Sequence, residues 1–146
     1  MSDEHGDLVK ASMVHLDSLD DVTVDWNPER YSLSRSSRLA TVGSVAATLD
    51  RVQAVAGGVE RFATELFLDN TREASSESGR PDLRALVDKL EHWMDPDPST
   101  GLPPRVAFLW GNFRFRGVIE SLDQVWVRFA RDGAPTRGHL RLTMRR

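Results

Sequence analysis

Arg105-Val-Ala-Phe-Leu-Trp-Gly-Asn-Phe-Arg-Phe-Arg-Gly-Val-Ile-Glu-Ser-Leu122 is followed by Val125-Trp-Val-Arg-Phe129 and by Asp132-Gly-Ala-Pro-Thr-Arg-Gly-His-Leu-Arg-Leu-Thr-Met-Arg-Arg146. Charged and apolar residues alternate through these runs, which is the period of strands with one buried face. Gly111-Asn112 and Asp132-Gly133 have turn composition and separate the strands. Gly117, inside the second run, predicts a bulge or a close backbone approach. In the last run Leu140, Leu142 and Met144 fall on one side; His139, Arg141, Thr143 and Arg145 fall on the other. The segment reads as a sheet covered on one face and presenting arginines on the other, with no catalytic constellation in it.

A helix precedes this sheet. Pro81 suits a first helical position, and Asp82 complements the positive end of the helix dipole. Leu83, Leu86, Val87, Leu90, Trp93 and Met94 form one apolar stripe, and Asp95-Pro96 ends it. Residues 97–104 are a Pro/Gly linker, and the Ser-rich, acidic residues 71–80 are a loop. Residues 59–68 read as a strand with Phe62, Thr64, Leu66 and Leu68 on one face. Residues 8–16 and Val22–Trp26 read as a hairpin around the turn-type cluster Asp17–Asp21, broken by Asn27-Pro28. Tyr31–Arg35 is a short extended piece. Residues 36–58, rich in Ser, Thr, Ala and Gly, read as a loop or variable segment, with an Ala-rich part that admits a helix. The expected class is mainly β (α+β): a single domain over residues 1–146, with about six or seven antiparallel strands and one amphipathic helix, as a β-sandwich or small barrel.

The chain has 146 residues, a net charge of −3 and no cysteine. One domain with a substantial core is expected. Disulfides and thiolate sites are excluded. No apolar run approaches the roughly 18 residues of a membrane span. The N-terminus Met-Ser-Asp-Glu-His-Gly-Asp is the opposite of a secretory signal, so cytoplasmic synthesis and folding are expected. Charge is uneven. Residues 1–104 hold 10 basic and 19 acidic side chains, whereas residues 105–146 hold 9 and 3. Such asymmetry fits nucleic-acid binding, or the acidic part of one copy meeting the basic part of the next.

The chemical inventory is otherwise bare. His5, His15, His92 and His139 lack metal-ligand spacing, and no HExxH is present. His92 reads as a helix C-terminal histidine beside an acidic loop rather than a cation ligand. Asp17, Asp20 and Asp21 lack the calcium-loop pattern. There is no nucleophile elbow, and Gly57-Gly58 is no phosphate loop. Glu60 and Glu65 read as exposed strand residues, not as a catalytic pair. Phe113, Phe115, Trp126 and Phe129 alternate with Arg114, Arg116 and Arg128. Alternation places rings and guanidinium groups on opposite faces, whereas an RNA-stacking platform needs both on one. No catalytic residue, metal or cofactor is therefore nominated, and nucleic acid is not the expected partner.

Three motifs carry a family resemblance. They are Trp26-Asn-Pro-Glu-Arg-Tyr-Ser-Leu-Ser-Arg35, Phe62-Ala-Thr-Glu-Leu-Phe-Leu-Asp-Asn-Thr71, and Pro103-Pro-Arg-Val-Ala-Phe-Leu-Trp-Gly-Asn-Phe-Arg-Phe-Arg-Gly-Val-Ile-Glu-Ser-Leu122 continued by Phe129-Ala-Arg-Asp-Gly-Ala-Pro-Thr-Arg137. Together they resemble the tube-domain family of contractile injection systems, which are phage-tail-like particles. The resemblance implies the tail-tube fold: two packed antiparallel sheets forming a barrel-like sandwich with one flanking amphipathic helix. It implies six copies in a ring around a channel, with neighbouring tube and baseplate or spike proteins as partners. It also implies a role as adaptor or tube initiator where the inner tube meets the baseplate and spike, with assembly in the cytoplasm into a particle that is released or membrane-docked. The alternatives are a repeated inner-tube shaft subunit and a nucleic-acid-binding β-domain. The LysM module that many members carry has no counterpart before Arg146, and residues 37–58 differ from the family's Gly-rich connection. The residues expected to face a lumen or a subunit junction are Arg114, Arg116, Arg128, Arg141, Thr143 and Arg145.

Overall fold

The structure, a computed structural model, describes residues 8–24, 27–42, 51–71 and 82–146. Among these residues there are seven strands and one helix: β1 Ser12–His15, β2 Asp21–Thr23, β3 Tyr31–Val42, β4 Arg51–Asp69, α1 Leu83–His92, β5 Val106–Trp110, β6 Phe113–Phe129 and β7 Pro135–Arg145. All pairings are antiparallel, in the order β2-β1-β5-β6-β7-β4-β3. The expected mainly-β, sandwich-like architecture with a flanking helix is what the chain forms.

The two layers are halves of one open sheet. β6 makes them so. Its residues 113–117 pair with β5, and from Val118 onward it pairs with β7. Gly117 sits at the change of partner. A Cβ there would lie 2.2 Å from the Arg145 carbonyl oxygen, so the close backbone approach predicted for this glycine is real. The halves then fold onto each other. Phe62 of β4 meets Phe108 of β5 with ring centroids 4.6 Å apart, and Phe115 of β6 at 5.5 Å. Within the sheet these strands are not neighbours, so the contact is between layers. Among the described residues the sheet's ends, β2 and β3, do not pair, and no barrel closes.

The alternations predicted from sequence set the core. Phe62, Leu66 and Leu68 are buried on β4, as are Leu140, Leu142 and Met144 on β7. Thr64 shares that buried face, and its hydroxyl donates to the Arg30 carbonyl at 2.8 Å, so its polarity is satisfied. Asp82 caps α1, accepting from the Arg84 N–H at 2.9 Å. Leu83, Val87, Leu90 and Trp93 bury the helix's apolar stripe. α1 spans both halves at one end of the molecule. Glu91 hydrogen-bonds Gln124 of β6, while Trp93 packs edge-on against His15 of β1.

The segment 36–58 differs from its expected loop or helix at both flanks. β3 continues to Val42 and β4 begins at Arg51, paired to each other from Tyr31↔Thr64 to Val42↔Arg51 with an irregularity around Arg38. Pairing, rather than apolar alternation, makes these strands. Residues 43–50, the end of the expected second strand (25–26), the Ser-rich stretch 72–80 and Pro81 lie outside the described residues.

Candidate functional site

The four-stranded half β3-β4-β7-β6 carries one face that is not in the core. Its registers can be read across the strands. Glu65 of β4 lies opposite Arg141 of β7, which lies opposite Asp123 of β6. One row along are Ala63, Thr143 and Ser121; beyond these are Arg61, Arg145 and Val118. In the other direction Asp69 faces Arg137, which faces Arg128. Three of the predicted residues, Arg141, Thr143 and Arg145, thus share this face on β7. Arg128 stands exposed at its far end. Arg114 and Arg116 are exposed on β6 but opposite Leu109 and Ala107 of β5, in the other half. The structure therefore divides the predicted set in two.

The basic surplus of the C-terminal segment is not a bare positive surface. Arg61 pairs with Glu120 at 3.1 Å, Arg137 with Asp69 at 2.9 Å, and His139 with Glu65 at 3.3 Å. Acids from β4 and β6 thus interleave with the arginines of β7. Opposite charges across neighbouring strands contribute modestly to pairing and fix register. This arrangement argues against a phosphate-tracking groove, which needs uncompensated cations. Sequence reasoning missed it because Glu65 and Asp69 lie far from β7 along the chain.

Asp69 is the most enclosed of these acids, with its side chain 8% exposed. Burial alone would raise its carboxyl. The Thr71 hydroxyl and backbone N–H, together with the Arg137 guanidinium, outweigh that and hold it below its ordinary value. A carboxyl depressed in the folded state stabilises fully above its unfolded value and loses that contribution as pH falls through the folded one. Acid should therefore erode stability from just above pH 3.8 downward. Asp69→Asn should cost about 2 kcal/mol at neutral pH and flatten that acid limb, as read by urea unfolding across pH.

Two further features have no sequence precursor. Val125, Val127 and Phe129 are 59%, 54% and 55% exposed. Val125 lies opposite His139 on the face that is not in the core, whereas Trp126 beside it packs against the core, and Phe129 does not join the buried aromatics as alternation suggested. Asn27 is the other. Its side chain accepts from the Ala11 N–H at 2.8 Å and donates to the Val9 carbonyl at 2.9 Å, tying the approach to β1.

Among the described residues no group of three or more His, Cys, Asp or Glu is placed to hold a metal ion. No helix among them is long and apolar enough to cross a membrane. Residues 9–146 match the family model described as contractile injection system tube protein. The chain belongs to that family. No curated protein matches it. As a contractile injection system tube protein it is a structural component of a phage-tail-like assembly.

Proposed function

We propose that about six copies of this tube protein close into a ring that links the inner tube to the baseplate and spike, with an architectural rather than a chemical role. One observation carries the ring. Among the described residues, the half β3-β4-β7-β6 has an unpaired edge on each side: β3 at one end, and β6 from Val118 to Phe129 at the other. Unpaired edges are a liability in a lone subunit. Joining β3 of one copy to distal β6 of the next satisfies both, repeats identically at every junction, and closes as a heterologous ring. The exposed Val125, Val127 and Phe129 lie on the joining strand, where side chains of the neighbouring copy would flank them. The face bearing Arg128, Arg141, Thr143 and Arg145 then lines the channel, where paired charges keep it wet. Arg114 and Arg116, on the other half, are left for junctions. The finished particle is released or membrane-docked.

The position beside the baseplate rests on the motif set quoted above. A position repeated along the shaft is the alternative within the same family. Native mass spectrometry tests the ring: a closed oligomer is expected, and a chain that stays monomeric at particle-like concentration refutes it. Copy number in purified particles separates the positions, at about six for an adaptor and hundreds for a shaft.

A further inference from the structure

The chain between β1 and β2, Leu16-Asp-Ser-Leu-Asp20, turns about one ring nitrogen. His15, the last residue of β1, offers Nδ1 as acceptor to two backbone donors, the Asp17 N–H at 3.3 Å and the Ser18 N–H at 3.1 Å. Both bonds need a bare Nδ1, which assigns the ring proton to Nε2. The main chain closes the turn: the His15 N–H donates to the Asp20 carbonyl, and the Leu19 N–H to the His15 carbonyl, both at 2.8 Å. Leu19 is 74% exposed and has φ +60. That conformation is costly for a side-chain-bearing residue and persists only where the surroundings over-determine it. The bonds gathered on His15 supply that restraint.

Charges of both signs border His15. The turn supplies Asp17 and Asp20, and β2 supplies Asp21. α1 supplies Lys89, which donates to the Asp20 carboxylate at 2.7 Å and to the Asp21 carbonyl at 3.1 Å. It is followed by Trp93, whose ring meets the imidazole edge-on with centroids 5.7 Å apart. On the β5 side Val106 lies opposite His15, and the carbonyl of the preceding Arg105 accepts from the Leu16 N–H at 3.0 Å. Lys89 is committed to Asp20, which leaves Asp17 as the carboxylate an imidazolium at position 15 can take.

We infer that His15 is an acid-operated latch on this turn: neutral, it holds the turn through Nδ1, and protonated, it lets the turn go. Histidine is the side chain suited to this, since its charge changes near neutral pH. A proton on Nδ1 makes the acceptor a donor and sets it against two N–H groups, so both bonds are lost together. The two freed N–H groups lie in the exposed part of the turn and pass to water, while the imidazolium turns to the Asp17 carboxylate. With those restraints gone, Leu19 relaxes to negative φ. The Lys89–Asp20 pair survives the same acidification, because the Lys89 hydrogen bond holds the Asp20 carboxyl below its ordinary value. The β1-β5 ladder also stays. Acid therefore reshapes one exposed surface and leaves the body of the subunit folded. The latch needs no neighbouring copy and is independent of the ring.

Amide hydrogen exchange of the full chain, corrected for the intrinsic rate at each pH, tests the latch. A window from about pH 7.5 to about pH 5.0 covers histidine and spares ordinary carboxylates. Protection of the Asp17, Ser18 and Leu19 amides should fall about tenfold across it. Protection over Leu140–Met144 on β7 should not change. His15→Asn places an amide oxygen near the position of Nδ1 and takes up no proton in this range, so its turn should stay protected throughout. His15→Ala should be as poorly protected at the upper pH as the native chain is at the lower. Native protection that is flat across the window overturns the latch. So does a fall of equal size in His15→Asn, which would assign the effect to His5, His92 or His139. A parallel fall on β7 in the native chain marks global unfolding and overturns it as well. The native series decides by itself if either variant fails to fold.

Discussion

Phe62→Ala should destabilise the isolated subunit by about 3–5 kcal/mol, the range for a fully buried aromatic truncated in a core that cannot collapse around the gap. Phe62 is 0% exposed. It touches Phe108 and Phe115 in the facing layer and Tyr31 at 5.7 Å on its own side. Its loss therefore opens the seam between the two halves. Urea midpoints followed by tryptophan fluorescence measure it. Phe129→Ala is the comparison, since a half-exposed ring with no core beneath it should shift stability by less than about 0.5 kcal/mol. Equal shifts for the two variants would contradict the two-layer account.

Gly117→Ala comes next, at about 3 kcal/mol, the upper part of the range for overpacking. The new methyl would sit 2.2 Å from the Arg145 carbonyl oxygen and 2.9 Å from its carbon. A flexible side chain in the way would swing aside. This obstacle is backbone, in the ladder where β6 leaves β5 for β7, so relief requires separating strands. Gly111→Ala isolates the other glycine effect. Its Cβ meets nothing within 4 Å, and only the φ of +60 matters, at about 1–2 kcal/mol. A Gly117 variant as mild as the Gly111 one would show that the partner exchange tolerates a gap.

Particular residues explain what was legible in the sequence. The Phe62–Leu68 and Leu140–Met144 alternations and the Leu83–Trp93 stripe were readable because burial on one face leaves a period in the chain. Gly117 was readable because a glycine inside a strand has few other uses. Residues 36–42 and 51–58 were not, since an edge hairpin formed by mutual pairing needs no apolar alternation. The Glu65–Arg141–Asp123 row was also hidden. It depends on which strands become neighbours, which is decided by long-range pairing. Leu19 gave no signal at all: leucine in a turn is ordinary until its φ of +60 is known.

β7 lies between β4 and β6 and is the sole link from the β3-β4 hairpin to the rest of the sheet among the described residues. Its partners on the β4 side are more than sixty residues earlier in the chain. Such separated pairings form slowly, and synthesis delivers the N-terminal strands first. Until residues 135–145 have left the ribosome, β4 and β6 have no common partner, and the two edges that the proposed ring would join are not held in one body. Translation would thereby act as a timer: a half-made chain has no complete edge pair to offer a neighbour.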